Sequence, residues 1–229
     1  MGNSPLYYNF PIQLLNGFLI DHNYSLMNIL QYHLYAHSLK LKKGTELEKY
    51  QESAAFFSVT LSDIRISLRT GKQLYDSIPD KSPMVGISNK DFFGYYKKEK
   101  TEFDKVCLLG FLAIKSILGT KAYCKITNKY WLSRMDGKTH SIEETAQLSE
   151  PLREYANEYQ TRKIKNKLCL DKKITQFSDH NRGFFVSISL DKDKLALEAV
   201  KRKKDYQEKQ LKREMAEAIK RAHAALKKP

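Results

Sequence analysis

Residues 160–190 read QTRKIKNKLCLDKKITQFSDHNRGFFVSISL, and this stretch decides the fold. Its first part sets Ile164 and Leu168 one helical turn apart among Gln160, Thr161, Arg162, Lys163, Lys165, Asn166 and Lys167. That is a narrow apolar stripe on an otherwise polar, basic helix. Its second part holds two β-rich runs, 173–177 and 183–190, separated by Ser178-Asp-His-Asn-Arg182. Polar turn residues between β-rich runs predict a hairpin with its tip at 178–182.

Working back from there, a helix, whole or broken, spans about 150–169, after a polar loop over 137–149. Thr127 is placed to cap a helix that runs to Met135 and is closed by Gly137. A short strand precedes it at 122–126. The stretch 104–118 is the most apolar helical run in the chain and is predicted to be central to the core, with Gly119 ending it. The order over 102–190 is therefore helix, strand, helix, loop, helix, strand, turn, strand.

That order resembles a winged-helix DNA-binding domain. The resemblance implies helix one at Glu102–Leu118, strand one at Tyr123–Ile126 and helix two at Thr127–Asp136. It puts the recognition helix within Glu150–Cys169 and the wing at Ile174–Ser189. Recognition would then fall to residues 160–167, Thr161 among them. Gln160 and Asn166 suit adenine edges, and Arg162 suits guanine. Lys163, Lys165, Lys167, Lys172 and Lys173 would contact phosphate and set register. His180, Asn181 and Arg182 at the wing tip suit backbone or minor groove. Tyr155 and Tyr159 are bulky for the start of such a helix, and one of them is a candidate for the core. A small α+β packing domain with a basic face would show the same residues.

Upstream, residues 5–12 carry Pro5 and Pro11 and read as an extended arm or an edge strand. Helices are predicted over 24–43, 46–57 and 61–77. Gly44 stops the first, and Thr45 with Glu48 forms a capping box for the second. Pro79–Pro83 is a loop, and Ser88 caps a short aromatic helix over 89–100. The segment from Ala54 to Leu68 resembles a helix-turn-helix. Ala54 is the small residue at the crossing, and Ser58 stands at the turn where glycine is usual. Val59 and the capping hydroxyl Thr60 follow, then the inward Ile64 and Leu68. The second helix of that family enters the major groove, which would present Ser62, Asp63, Arg65 and Arg69. A plain helical hairpin fits the same residues. Two such units in one chain, joined by an apolar helix, resemble the tandem winged-helix layout of plasmid replication initiators. The expected fold class is mainly α (α+β). The units are an N-terminal helical unit over 1–100 containing the 46–70 motif, a winged-helix domain over 101–190, and a basic C-terminal helix over 191–229.

Charge narrows the partners. The chain has 229 residues with 40 Lys+Arg against 26 Asp+Glu, a formal net charge of +14. Six cations crowd 162–173 against one acid, Asp171, and 191–229 holds thirteen basic and seven acidic residues. Clustered positive charge points to a polyanion. Double-stranded DNA is the expected partner, RNA the less favoured one, and a second copy of the chain is allowed by the C-terminal helix. That helix sets Leu211, Met215, Ile219, Ala222 and Leu226 on one stripe, too short and alanine-rich for a strong coiled coil.

Other classes lose support. No apolar run approaches membrane-spanning length, so no membrane partner is expected. Three widely spaced cysteines, Cys107, Cys124 and Cys169, imply neither a disulfide framework nor a CxxC metal pair, and a reducing cytoplasm is the simplest compartment. His33 and His37 stand four apart, but position 34 is Leu where HExxH needs glutamate. They are expected to be structural histidines. Gly71-Lys72 lacks P-loop spacing, Asp171-Lys172-Lys173 lacks an acidic partner nearby, and no His-hydrophobic-His pair of the rolling-circle nickase family occurs. The expectation is a non-enzymatic, cofactor-free reader of DNA acting as a transcriptional regulator or a plasmid or mobile-element replication initiator. The competing class is a non-catalytic structural or interaction component of a phage or mobile element.

Overall fold

Tyr7–Pro11 (β1) pairs antiparallel with Met84–Ser88 (β2), Tyr7 opposite Ser88 and Pro11 opposite Met84. This ribbon ties the start of the chain to residues some 80 positions later and encloses three helices, His22–Ser38 (α1), Glu46–Phe56 (α2) and Ile64–Ser77 (α3). The computed structural model describes residues 6–172, 174–177 and 183–226. The fold is mainly helical with small antiparallel sheets.

Local signals explain most of the boundaries. Asp21 caps α1 by accepting from the Tyr24 N–H at 2.9 Å. Thr45 and Glu48 form both bonds of the capping box at α2. Helix α1 ends at Ser38, five residues short of the expectation, so Leu41 lies in the link to α2. Helix α3 begins at Ile64 rather than 61. Its cap is Asp63, whose Oδ1 accepts from the N–H groups of Arg65 and Ile66 at 2.9 and 3.0 Å. Thr60 therefore does not cap it, because a carboxylate one residue before the helix takes two orphan donors at once. Ser58 adopts φ 54°, the left-handed turn for which glycine is usual. Gly71 of α3 lies against α1, where a Cβ would stand 2.5 Å from the Gln31 carbonyl oxygen. Beside it the Gln31 amide donates to Ser67 Oγ at 3.0 Å.

After β2, Ser88 caps Asn89–Tyr96 (α4), and Thr101 caps Glu102–Leu118 (α5). Then come Tyr123–Ile126 (β3), Asn128–Met135 (α6), Glu150–Arg153 (α7), Glu158–Asp171 (α8), Thr175–Phe177 (β4), Phe184–Ser187 (β5) and Lys192–Leu226 (α9). The helix expected over 150–169 is thus broken at 154–157. The three strands order as β3–β5–β4, all antiparallel.

Helix α5 is central, as its apolar run predicts: Val106, Leu109, Leu112, Ala113 and Ile114 are fully buried. At Gly110 a Cβ would stand 3.0 Å from Trp131 of α6 and 3.3 Å from Ile164 and Leu168 of α8, so this glycine lets three helices converge. The Trp131 indole N–H donates to the Gly110 carbonyl at 2.9 Å, which satisfies the one polar atom of a wholly buried ring. One apolar cluster runs from Tyr8 through α5 to Val186. A small second one seats the start of α9, with Leu195 and Ala199 against Phe185. From 201 to 221 that helix is exposed on every side except at Gln210. Among the described residues no helix is long and apolar enough to cross a membrane.

Candidate nucleic-acid interface

Helix α8 is anchored by Thr161, Ile164 and Leu168, which are buried against the core. Its amino end is held by Asn157, whose Oδ1 accepts from the Gln160 N–H at 2.9 Å. The opposite face, standing free of the core, carries Tyr159, Arg162, Lys163, Asn166 and Leu170. This is the one-sided helix that the Ile164/Leu168 spacing predicts.

Several expected contact residues are turned elsewhere. Thr161 is buried, and its hydroxyl donates to the Glu158 carbonyl within the helix at 3.0 Å, so it cannot meet a ligand. Gln160 is half-buried with its amide oxygen enclosed. Lys165 folds back over the core. Its ammonium lies 4.1 Å from the Phe184 ring centre and 5.5 Å from that of Trp131, and it donates to Asn128 Oδ1 at 2.7 Å. Burial, reinforced by the neighbouring Arg162 charge, pulls its pKa down to about 8. Lys172 points inward to Asp91 of α4 at 2.6 Å and to the Phe111 ring, joining the two halves of the chain instead of facing solvent. Lys167 pairs with Asp171 at 3.0 Å.

What remains outward is narrower. Arg162 is paired with Glu158 at 2.8 Å, but both side chains are more than two-thirds exposed, and such a pair exchanges readily for a phosphate. Lys163 lies over the Phe103 ring at 4.6 Å. Asn166 is exposed. Tyr155 is the half-buried member of its pair, beside Phe103, whereas Tyr159 is 73% exposed. Outside the two basic runs, Lys125 of β3 and Lys129 of α6 are also exposed, the first over the Phe185 ring and the second donating to the Glu143 carbonyl. The basic-run argument passes over both because each stands alone in sequence. Lys173, His180, Asn181 and Arg182 lie outside the described residues.

In the N-terminal half, Ser62, Arg65 and Arg69 are exposed as expected, with Arg65 and Arg69 one turn apart on α3. Ile66, 59% exposed, shares that surface.

His33 and His37 are both held by hydrogen bonds within the fold. His33 Nδ1 lies within hydrogen-bonding range of both the Asn9 N–H and its carbonyl, at 3.1 and 3.2 Å, and burial drives its pKa down to about 4. His37 Nδ1 meets Ser53 Oγ at 3.0 Å. Burial raises the thiols of Cys107 and Cys124 to about 12 and about 11, which removes their nucleophilic form at neutral pH. Among the described residues no group of three or more His, Cys, Asp or Glu is arranged to hold a metal ion. Comparison of the chain with protein-family models, with curated proteins and with solved structures gives no match.

Proposed function

We propose that this protein is a non-catalytic, sequence-specific reader of double-stranded DNA with α8 as its recognition helix. The observation that carries the reading is the arrangement around α5. Helix, strand, helix, the four-residue α7 and then α8 are followed by two strands, and the first strand pairs with the third, which pairs with the second. Apart from α7 this resembles the element order and sheet order of a winged helix, which supports the reading, and the face of α8 with Arg162 and Lys163 is exposed. Arg162 and Lys163 would supply charge, and Asn166 the amide that discriminates bases. Helix α3, with Arg65 and Arg69, would be a second contact. A tandem arrangement of this kind suits a regulator or a replication initiator of a plasmid or mobile element acting in the cytoplasm.

The test is a titration of the folded chain against random and selected duplexes at several salt concentrations. If four to six phosphates are neutralised, log K should fall against log salt with a slope of roughly −4 to −5. Arg162→Ala should weaken binding to all duplexes alike. Asn166→Ala should cost roughly 1–3 kcal/mol on the selected duplex and little on random DNA. Absence of duplex binding at low salt would refute the proposal.

One observation favours a second reading. Tyr159 and Leu170, 73% and 79% exposed, flank the cations of α8 and suit a protein surface as well as a groove. Loss of a protein partner but not of DNA in Tyr159→Ser would assign the face to an interaction role.

A further inference from the structure

A second concave surface lies away from α8. It measures about 750 Å³ and lies between α1, the 57–63 link and α4. That volume is within the range of small-molecule sites, which combine aromatic walls with a few convergent polar groups. Here the walls are rings. Phe57 of the link and Phe92 of α4 form a floor that is buried in the core, and Tyr96 of α4, 38% exposed, is the ring a ligand can reach, its plane 18° from parallel with Phe92 and their centres 6.2 Å apart. The amides of Gln31 and Asn89 also line the cleft. Both are built into the fold by one bond each. Gln31 donates to Ser67, and Asn89 Nδ2 donates to the Tyr8 hydroxyl at 3.2 Å, so the amide carbonyls keep accepting capacity.

Charge is sparse and placed at the exposed edge. Lys97 is the one cation among the described lining residues, with its ammonium 5.0 Å above the Phe93 ring. Asp63 is the one acid, and one of its oxygens is spent on the cap of α3. The exposed ring of Tyr96 accepts the face of any base, because every base has a π surface. Amides and the hydroxyls of Thr60 and Ser62 can meet a base edge or a sugar. A single exposed ammonium suits one phosphate and not a chain of them. A lipid tail would leave these polar groups without partners.

We propose that this cleft binds a nucleoside monophosphate, its base against Tyr96 and its phosphate on Lys97. The inference stands apart from the DNA reading of α8 and is tested without duplex DNA. Its structural consequence falls on the link, since the segment that walls the cleft leads directly into α3. An unpaired nucleotide within a strand offers the same chemistry, so the two sources are compared.

The experiment is calorimetric titration of the full chain with AMP, GMP, adenosine, ribose 5-phosphate and a single-stranded octanucleotide. AMP or GMP is expected to bind, adenosine about threefold more weakly as fits loss of an exposed charge pair, and ribose 5-phosphate not at all. Lys97→Met should bring AMP to the level of adenosine and leave adenosine unchanged. Met27→Trp, which fills the cleft, should abolish both. Val59→Trp does the same from the link if the first variant fails to fold, with melting temperature as the check. Hydrogen exchange should show the amides of 57–67 slowed by the nucleotide. An octanucleotide that binds at least tenfold tighter than AMP, and is lost in the same filled variants, makes the occupant a nucleotide of a strand. Ribose 5-phosphate binding as tightly as AMP overturns the proposal. So does unchanged binding in the filled variants, or no binding of either nucleotide at about millimolar concentration.

Discussion

Replacing Lys165 by Met tests whether the core face of α8 tolerates its ammonium or gains from it. The pKa falls from 10.5 to about 8 because burial penalises the charged form. At ~1.4 kcal/mol per tenfold, that shift corresponds to ~3 kcal/mol of penalty. The side chain is only partly enclosed, and solvent screening reduces the penalty to ~2 kcal/mol. Against it stand the contacts with Phe184 and Trp131, worth ~0.5 kcal/mol each at a partly wet site, while the bond to Asn128 adds little because that residue is exposed and water replaces the ammonium in the variant. Methionine keeps the apolar stem and removes the charge, so Lys165→Met should be more stable by ~1 kcal/mol at pH 7. The folded pKa lies below the unfolded one, so between pH 8 and 10.5 the unfolded wild type holds the extra proton. Wild-type stability therefore rises relative to the variant from pH 8 by ~1.4 kcal/mol per unit, and the gap closes at about pH 9. The buried thiols of Cys107 and Cys124, raised in the folded chain, lower stability above about pH 9 in both proteins and cancel in the difference. Urea unfolding followed by Trp131 fluorescence from pH 7 to 10 measures it. A variant less stable than wild type by ~1 kcal/mol, with a gap that does not move with pH, would show that the ring contacts outweigh burial.

His33 gives an acid counterpart. Its folded pKa of about 4 lies below the unfolded value near 6.5, so stability should be lost as pH falls from 6.5 towards 4, and His33→Gln should flatten that loss in melting experiments. Gly71→Ala should destabilise by ~1–3 kcal/mol in urea despite the better helix propensity of alanine, because the new Cβ meets the Gln31 carbonyl. Truncation after residue 200 should leave the melting temperature within about 2 °C of wild type, since Leu195 and Ala199 hold the seated part of α9. Arg65→Ala with Arg69→Ala should weaken duplex binding while leaving the melting curve unchanged, and unaltered binding would make α3 a scaffold.

The legible features were those set by neighbours in sequence. The capping box at Thr45 and Glu48, the caps at Ser88 and Thr127 and the Ile164/Leu168 stripe all came from spacings of three or four residues. The strand Met84–Ser88 was not legible, because its extended form is fixed by a partner some 80 residues earlier and not by its own composition. The start of α3 differs from the expectation because Thr60 and Asp63 are both good caps, and the Asp63 carboxylate takes two orphan donors at once. The cations of 162–173 were counted correctly but placed wrongly. A lysine stem reaches several ångströms from its helix position, so periodicity tells which side it leaves from and not where its charge ends. Lys165 and Lys172 both ended against aromatic rings in the interior of the molecule.

The apolar cluster that passes through α5 without interruption, together with the Lys172–Asp91 bridge, fixes α3 and α8 on one frame. A frame of that kind works as a calliper. If both helices touch the same duplex, the separation and rotational phase of the two contacted segments are set by the protein and not by the DNA. Five base pairs inserted between them would turn the second segment to the far side of the double helix. Ten would restore the phase but carry the segment a full turn, about 34 Å, beyond reach.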